Sequence, residues 1–136
     1  ELSGPLLCQS SVGTWRWGAA LSQDQVFSVG YFGKDMEGCL YRTNDGVSWH
    51  AHVRPFFPES PCFANESSLV FSKSGTAFCL LRRDRPNCSG LWGVSKPPFT
   101  RWNWFDLPFS AGGPKLLELS SGQLVACFRK IQKTRR

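Results

Sequence analysis

Two stretches of the chain are copies of one another, 47 residues apart. Residues 62–84 read CFANESSLVFSKSGTAFCLLRRD and residues 112–130 read GGPKLLELSSGQLVACFRK. Each carries an apolar run, a Ser-Gly turn and a second apolar run, which ends on an Arg followed by a basic residue. Gly75 aligns with Gly122, and Arg82 with Arg129, at the same offset. A weaker third copy, TWRWGAALSQDQVFSVGYFG at 14–33, turns at Asp24-Gln25, about 50 residues before Ser74-Gly75. A chain built this way must place the same short supersecondary unit side by side, because one such unit cannot bury its apolar face alone.

The remainder of each unit supports short strands. After the first hairpin come CLYRT (39–43), a turn at Asn44-Asp45-Gly46 and VSWHAHV (47–53). After the second come GLWGVS (90–95), a turn through Pro97 and Pro98, and RWNWFDL (101–107). Alternation and β-branched or aromatic residues mark strands, and no helical period is longer than a turn. The expected fold is all-β: a single domain over 1–136 that forms a partial β-propeller of about two and a half four-stranded antiparallel blades. The units are 14–54, 62–108 and 112–130, with a basic tail over 130–136. A propeller closes with roughly four to eight blades. The chain therefore reads as a piece of a longer protein, with exposed blade edges through which it can self-associate.

The formal charge of +6 gives little sign of a nucleic-acid partner. Arg129, Lys130, Lys133, Arg135 and Arg136 supply five of those charges from the C-terminal end, so the body of the chain is nearly neutral. No run of 18 apolar residues exists to span a membrane. The six cysteines, at 8, 39, 62, 79, 88 and 127, contain no C-x-x-C pair, which argues against zinc. Cys79 and Cys127 sit in apolar runs, and disulfides are open to an exported chain. An extracellular or periplasmic location follows if the parent protein carries a signal peptide. His50 and His52 alternate on one strand without a third ligand, so neither a metal nor a cofactor is expected. The aromatics Trp15, Trp17, Trp92, Trp102 and Trp104 suit the spaces between blades, with sugar stacking as the alternative.

Hairpin symmetry identifies candidate site residues. Around a turn centred on Ser74, Glu66 faces Arg82 at the open end of the hairpin. Around Asp24, Arg16 faces Phe32, with Tyr31 adjacent. Around Ser121, Gly113 faces Arg129. The three hairpins thus bring Arg16, Glu66, Arg82 and Arg129 to one rim. Guanidinium groups that converge bind carboxylates through paired, charge-assisted bonds.

These residues carry a resemblance. NESSLVFSKSGTAFCLLRR, at 65–83, resembles the sialidase stretch in which Asn-Glu opens one strand and Arg closes the next. YRTNDGVSW, at 41–49, resembles the Asp-box of sialidases and other BNR-repeat proteins, one residue shorter than the pattern S-x-D-x-G-x-T-W. In that box Asp45 accepts turn N–H groups, Gly46 takes positive φ and Trp49 packs between sheets. The resemblance implies a sialidase-like propeller of the six-bladed type. It further implies an arginine triad for a sialic acid carboxylate, a Tyr nucleophile activated by a Glu, and an Asp acid/base. Carried over, Glu66 matches the activating Glu; Arg82, Arg129 and Arg16 match substrate-binding arginines; and Asp35 stands for the acid. The nucleophile falls beyond Arg136 in family order, since the only tyrosines are Tyr31 and Tyr41. The expected function is a sialidase-like glycoside hydrolase fragment that takes sialic acid or another acidic glycan. The alternative is a non-catalytic Asp-box propeller module that binds glycan or protein.

Overall fold

The computed structural model describes residues 4, 6–8, 13–32, 37–84 and 88–131. Among them every regular element is a strand, and every strand pairing is antiparallel. The first sheet contains β1 (Trp15–Arg16), β2 (Ala20–Ser22), β3 (Gln25–Tyr31), β4 (Cys39–Thr43) and β5 (His50–Val53). β1 and β2 both pair with β3, followed by β4 and β5 in chain order. The second is a four-stranded meander of β6 (Phe63–Phe71), β7 (Ala77–Asp84), β8 (Leu91–Ser95) and β9 (Asn103–Asp106). The third pairs β10 (Ser110–Glu118) with β11 (Leu124–Ile131).

The repeat read from the sequence is reproduced in the backbone. β6 and β10, like β7 and β11, begin and end 47 residues apart. Their turns close identically: the Gly75 N–H bonds the Ser72 carbonyl and the Gly122 N–H bonds that of Leu119, each with its glycine at positive φ. The first hairpin turns through Gln23 and Asp24.

Each hairpin also slips register by one residue near the end opposite its turn. The slip lies between Arg16↔Gly30 and Ala20↔Phe27, between Ala64↔Arg83 and Ser67↔Leu81, and between Gly112↔Arg129 and Lys115↔Cys127. The residues inside the last two slips are Asn65-Glu66 and Gly113-Pro114. Pro lacks an N–H for the ladder, and Gly113 takes φ +58°, so that bulge follows from the sequence. Two expected pairings shift. Arg129 lies opposite Gly112 rather than Gly113 through the slip alone, and Arg16 lies opposite Gly30 rather than Phe32 through the slip and a first turn centred between Gln23 and Asp24 rather than on Asp24.

Alternation along the strands fills the spaces between sheets. Phe27, Val29 and Leu40 from the first sheet meet Ala77, Cys79, Leu81 and Leu91 from the second, and Phe56, Phe57 and Phe99 close the ends of this core. Leu40 and Leu81 are fully enclosed, each contributing about 2 kcal/mol by area. The opposite face of the second sheet packs Leu80, Phe78, Val70 and Trp92 against Ala111, Leu116 and Phe128. Trp102 and Trp104 take the same side, stacked at 5.7 Å, with Phe56 edge-on to both. The Trp104 ring lies across Gly93, its cross-strand partner.

The turn after β4 is closed by Asp45. Asp45 Oδ1 accepts the N–H groups of Ser48 and Val47 and the Thr43 hydroxyl, and these bonds, that of Ser48 foremost, hold its carboxyl well below the usual carboxylate range. Gly46 adopts positive φ, and the Trp49 indole bonds its carbonyl. Trp49, expected to pack between sheets, instead packs with Tyr41 and Cys39 on the outer face of the first sheet.

Candidate functional site

The slip in β6 places Glu66 at the open end of its hairpin, beside the end of β7. Arg82 Nη1 donates to Glu66 Oε2 at 2.7 Å, and the Gly113 N–H donates to the same oxygen at 2.8 Å. Arg82 Nε donates to Asp84 Oδ1, while Asn65 Nδ2 donates to Asp84 Oδ2. Asn65 also accepts the Glu66 N–H through Oδ1. Residues 82 and 84 share a face because side chains alternate along β7. Arg83 points the other way, into Ser89 and Asp106. The hydrogen bond to Glu66 raises the Arg82 pKa against the opposing effect of burial, and Asp84 adds to the rise.

The arrangement is a guanidinium held between two carboxylates, half-buried, at a seam between the second and third sheets. Arg82 Nη2 and Glu66 Oε1 have no partner among the described residues. The cluster thus keeps both a donor and an acceptor for a ligand. Glu66 also clasps the bulge of the neighbouring hairpin through Gly113. Removing it by Glu66→Ala is expected to cost about 2 kcal/mol, because the Gly113 N–H loses its partner and Arg82 loses a counter-charge. Glu66→Gln keeps an acceptor and should cost about 1 kcal/mol. Urea unfolding measures both, and an unchanged midpoint for Glu66→Ala would show that the clasp contributes nothing.

The other sequence candidates do not join this cluster. Arg16 lies on the opposite face of the first sheet, with its guanidinium 4.2 Å from the Tyr41 ring centroid and 4.4 Å from that of Trp49. Burial there lowers its pKa. Arg129 occupies in β11 the place Arg82 occupies in β7. It is exposed and forms no hydrogen bond or ion pair among the described residues. Asp35 lies outside the described residues. Tyr41 is buried, and burial pushes its pKa up.

Two participants, and the first-sheet counterpart of Arg82, carried no signal strong enough to single them out in the sequence. Asp84 is the second counter-charge of Arg82, and the i, i+2 spacing alone could have revealed it. Gly113 enters only through the bulge. Tyr31, rather than Arg16, is the counterpart of Arg82 when the β3–β4 and β7–β8 registers are superposed. Its hydroxyl accepts the Trp17 indole N–H at 2.8 Å, and Trp17 is 56% exposed.

No protein-family model matches the chain, and no curated protein matches it. Two solved structures are similar in fold. A protein of unknown function from Dyadobacter fermentans superposes with a TM-score of 0.77 at 14% identity, over 91% of this chain and 40% of its own. A bifunctional GH43-CE protein from Bacteroides eggerthii superposes at 0.67 with 8% identity, over 96% of this chain and 20% of its own. The chain thus spans less than half the length of either, and at such identities the likeness is one of fold.

Proposed function

We propose that the chain is part of a glycan-binding β-propeller, sialidase-like in architecture, to which it contributes two blades, one for each of the first two sheets, and the inner hairpin of a third. Support comes from the 47-residue strand repeat, the slip recurring at one end of each hairpin, and the Asp45–Trp49 turn. The observation that carries the glycan reading is the Glu66–Arg82–Asp84 cluster with its unused donor and acceptor. Sugar hydroxyls donate and accept at once, and they match such a mixed cluster. A carboxylate ligand would instead meet two carboxylates beside one guanidinium. Trp17, held by Tyr31, adds an exposed aromatic face for a sugar ring.

Hydrolysis of a sialoside, the activity implied by the resemblance, needs arginines that converge, and Arg16 and Arg82 lie on different faces of different sheets. Binding is therefore the function we assign to this chain. Saturation-transfer NMR with neutral and acidic methyl glycosides tests it. Neutral glycosides are expected to bind, and Trp17→Ala should abolish the signal without moving the melting temperature. Absence of transfer from every sugar, or transfer unaffected by Trp17→Ala, overturns the reading. A fluorogenic sialoside run in parallel addresses catalysis: turnover lost on Glu66→Gln would restore the hydrolytic assignment.

A further inference from the structure

At the opposite end of the first two sheets, where the hairpins turn, a cleft of about 430 Å³ opens between them. It lies some five residues along β6 from Glu66, roughly 17 Å at strand rise. Its floor is aromatic. Phe27, Phe71 and Phe99 pack edge-on or tilted with ring centroids 4.8–6.0 Å apart. The walls carry Arg42, Lys73 and His52, and no carboxylate lines the cleft among the described residues.

Arg42 and Lys73 have no ion-pair partner among the described residues. Arg42 is exposed and forms no hydrogen bond or ion pair among the described residues. Glu118 accepts the Lys73 backbone N–H rather than its ammonium, whose only hydrogen bond among the described residues, at 3.4 Å, is to the Ser120 carbonyl. His52 Nε2 lies 2.8 Å from the Pro98 carbonyl, so that nitrogen carries the proton. The His52 ring stands edge-on to Phe27.

The backbone of the cleft is held in an unusual conformation. Gln23 and Phe99 are the non-glycine residues with positive φ among those described, at 52° and 64°, and both line it. A bulky aromatic in that region persists only when its surroundings fix it, and such residues gather at ligand sites. Here the Phe99 N–H bonds the Lys96 carbonyl and the Trp102 indole bonds the Phe99 carbonyl.

The geometry points to a second site, distinct from the Glu66 cluster, for a small aromatic carboxylate. Its ring lies against Phe27, Phe71 and Phe99, and its carboxylate faces Arg42 and Lys73. The volume suits a ligand of this kind. Apolar floor and cationic wall favour a ligand that uses both: a bare anion gains nothing from the rings, and a neutral arene gains nothing from the cations.

NMR titration of the isotope-labelled chain with 2-naphthoate, 2-naphthamide and inorganic phosphate tests this. Naphthoate should shift the amides of Lys73, Gly75 and Phe99. Naphthamide should bind about tenfold more weakly. Arg42→Gln should weaken naphthoate by about five- to tenfold without changing the melting temperature, since the side chain is exposed. Equal affinity for naphthoate and naphthamide, no effect of Arg42→Gln, or no shift at those amides overturns the site. Phosphate that matches naphthoate at the same amides overturns the role of the aromatic floor.

Discussion

Gly93→Val is expected to destabilise the chain by about 3 kcal/mol and lower its melting temperature by roughly 10 °C. Gly93 sits mid-strand in β8, paired with Cys79 on one side and Trp104 on the other. A Cβ at this position would stand 2.5–2.9 Å from three carbons of the Trp104 ring. That ring cannot yield cheaply, because it is stacked on Trp102 and wedged against Phe56. Either β9 lifts from the sheet or the three aromatics repack. A double-mutant cycle separates this clash from a general intolerance of side chains in β8. With Trp104→Ala the space opens, and the double variant should be more stable than the sum of the single changes by at least ~1.5 kcal/mol. Additive effects in thermal and urea unfolding would show that the ring is not what excludes a side chain at 93.

That contact illustrates what the sequence makes legible. The Ser-Gly turns, the 47-residue offset and the alternating strands locate the hairpins, because turn chemistry and side-chain period are local. Trp102 and Trp104 sit on the same side, as their spacing implies. Glu66 and Arg82 meet because hairpin symmetry survives a one-residue slip when side chains are long. Arg16 fails for a matching reason. Its partner is Gly30, whose side of the sheet is the outer one, while Tyr31 faces the second sheet. Which face of a strand meets which neighbour depends on sheet order, and a strand's own residues do not encode that. The tip-end cleft was equally hidden. Arg42, Lys73 and Phe99 come from three separate turns and strands, and nothing local links them.

The cysteines show the same limit, and they carry the other large effect. Six cysteines admit many pairings, and the fold selects Cys62–Cys88, with Cα atoms 6.0 Å apart, while Cys79 is buried as a free thiol. Burial pushes the Cys79 thiol far above its usual range, so it is inert as a nucleophile. The bonded pair spans 26 residues, and closing a loop of that size restricts the unfolded chain by about 3.5 kcal/mol in the entropic account. Replacing both cysteines with serine should lower stability by about that amount and the melting temperature by roughly 10 °C. The position of the bond predicts where the loss is felt. Cys62 precedes β6, and the Cys88 carbonyl accepts the Ser110 hydroxyl at the start of β10, so the bond fastens the end that carries Glu66, Arg82 and Asp84. Hydrogen exchange should therefore quicken at Ala64–Glu66 and Arg82–Asp84, while the amides of Lys73 and Gly75 at the turn end keep their wild-type rates relative to global unfolding. Uniform acceleration at both ends would mean that the disulfide acts only through the unfolded state and does not hold the Glu66–Arg82–Asp84 cluster in shape.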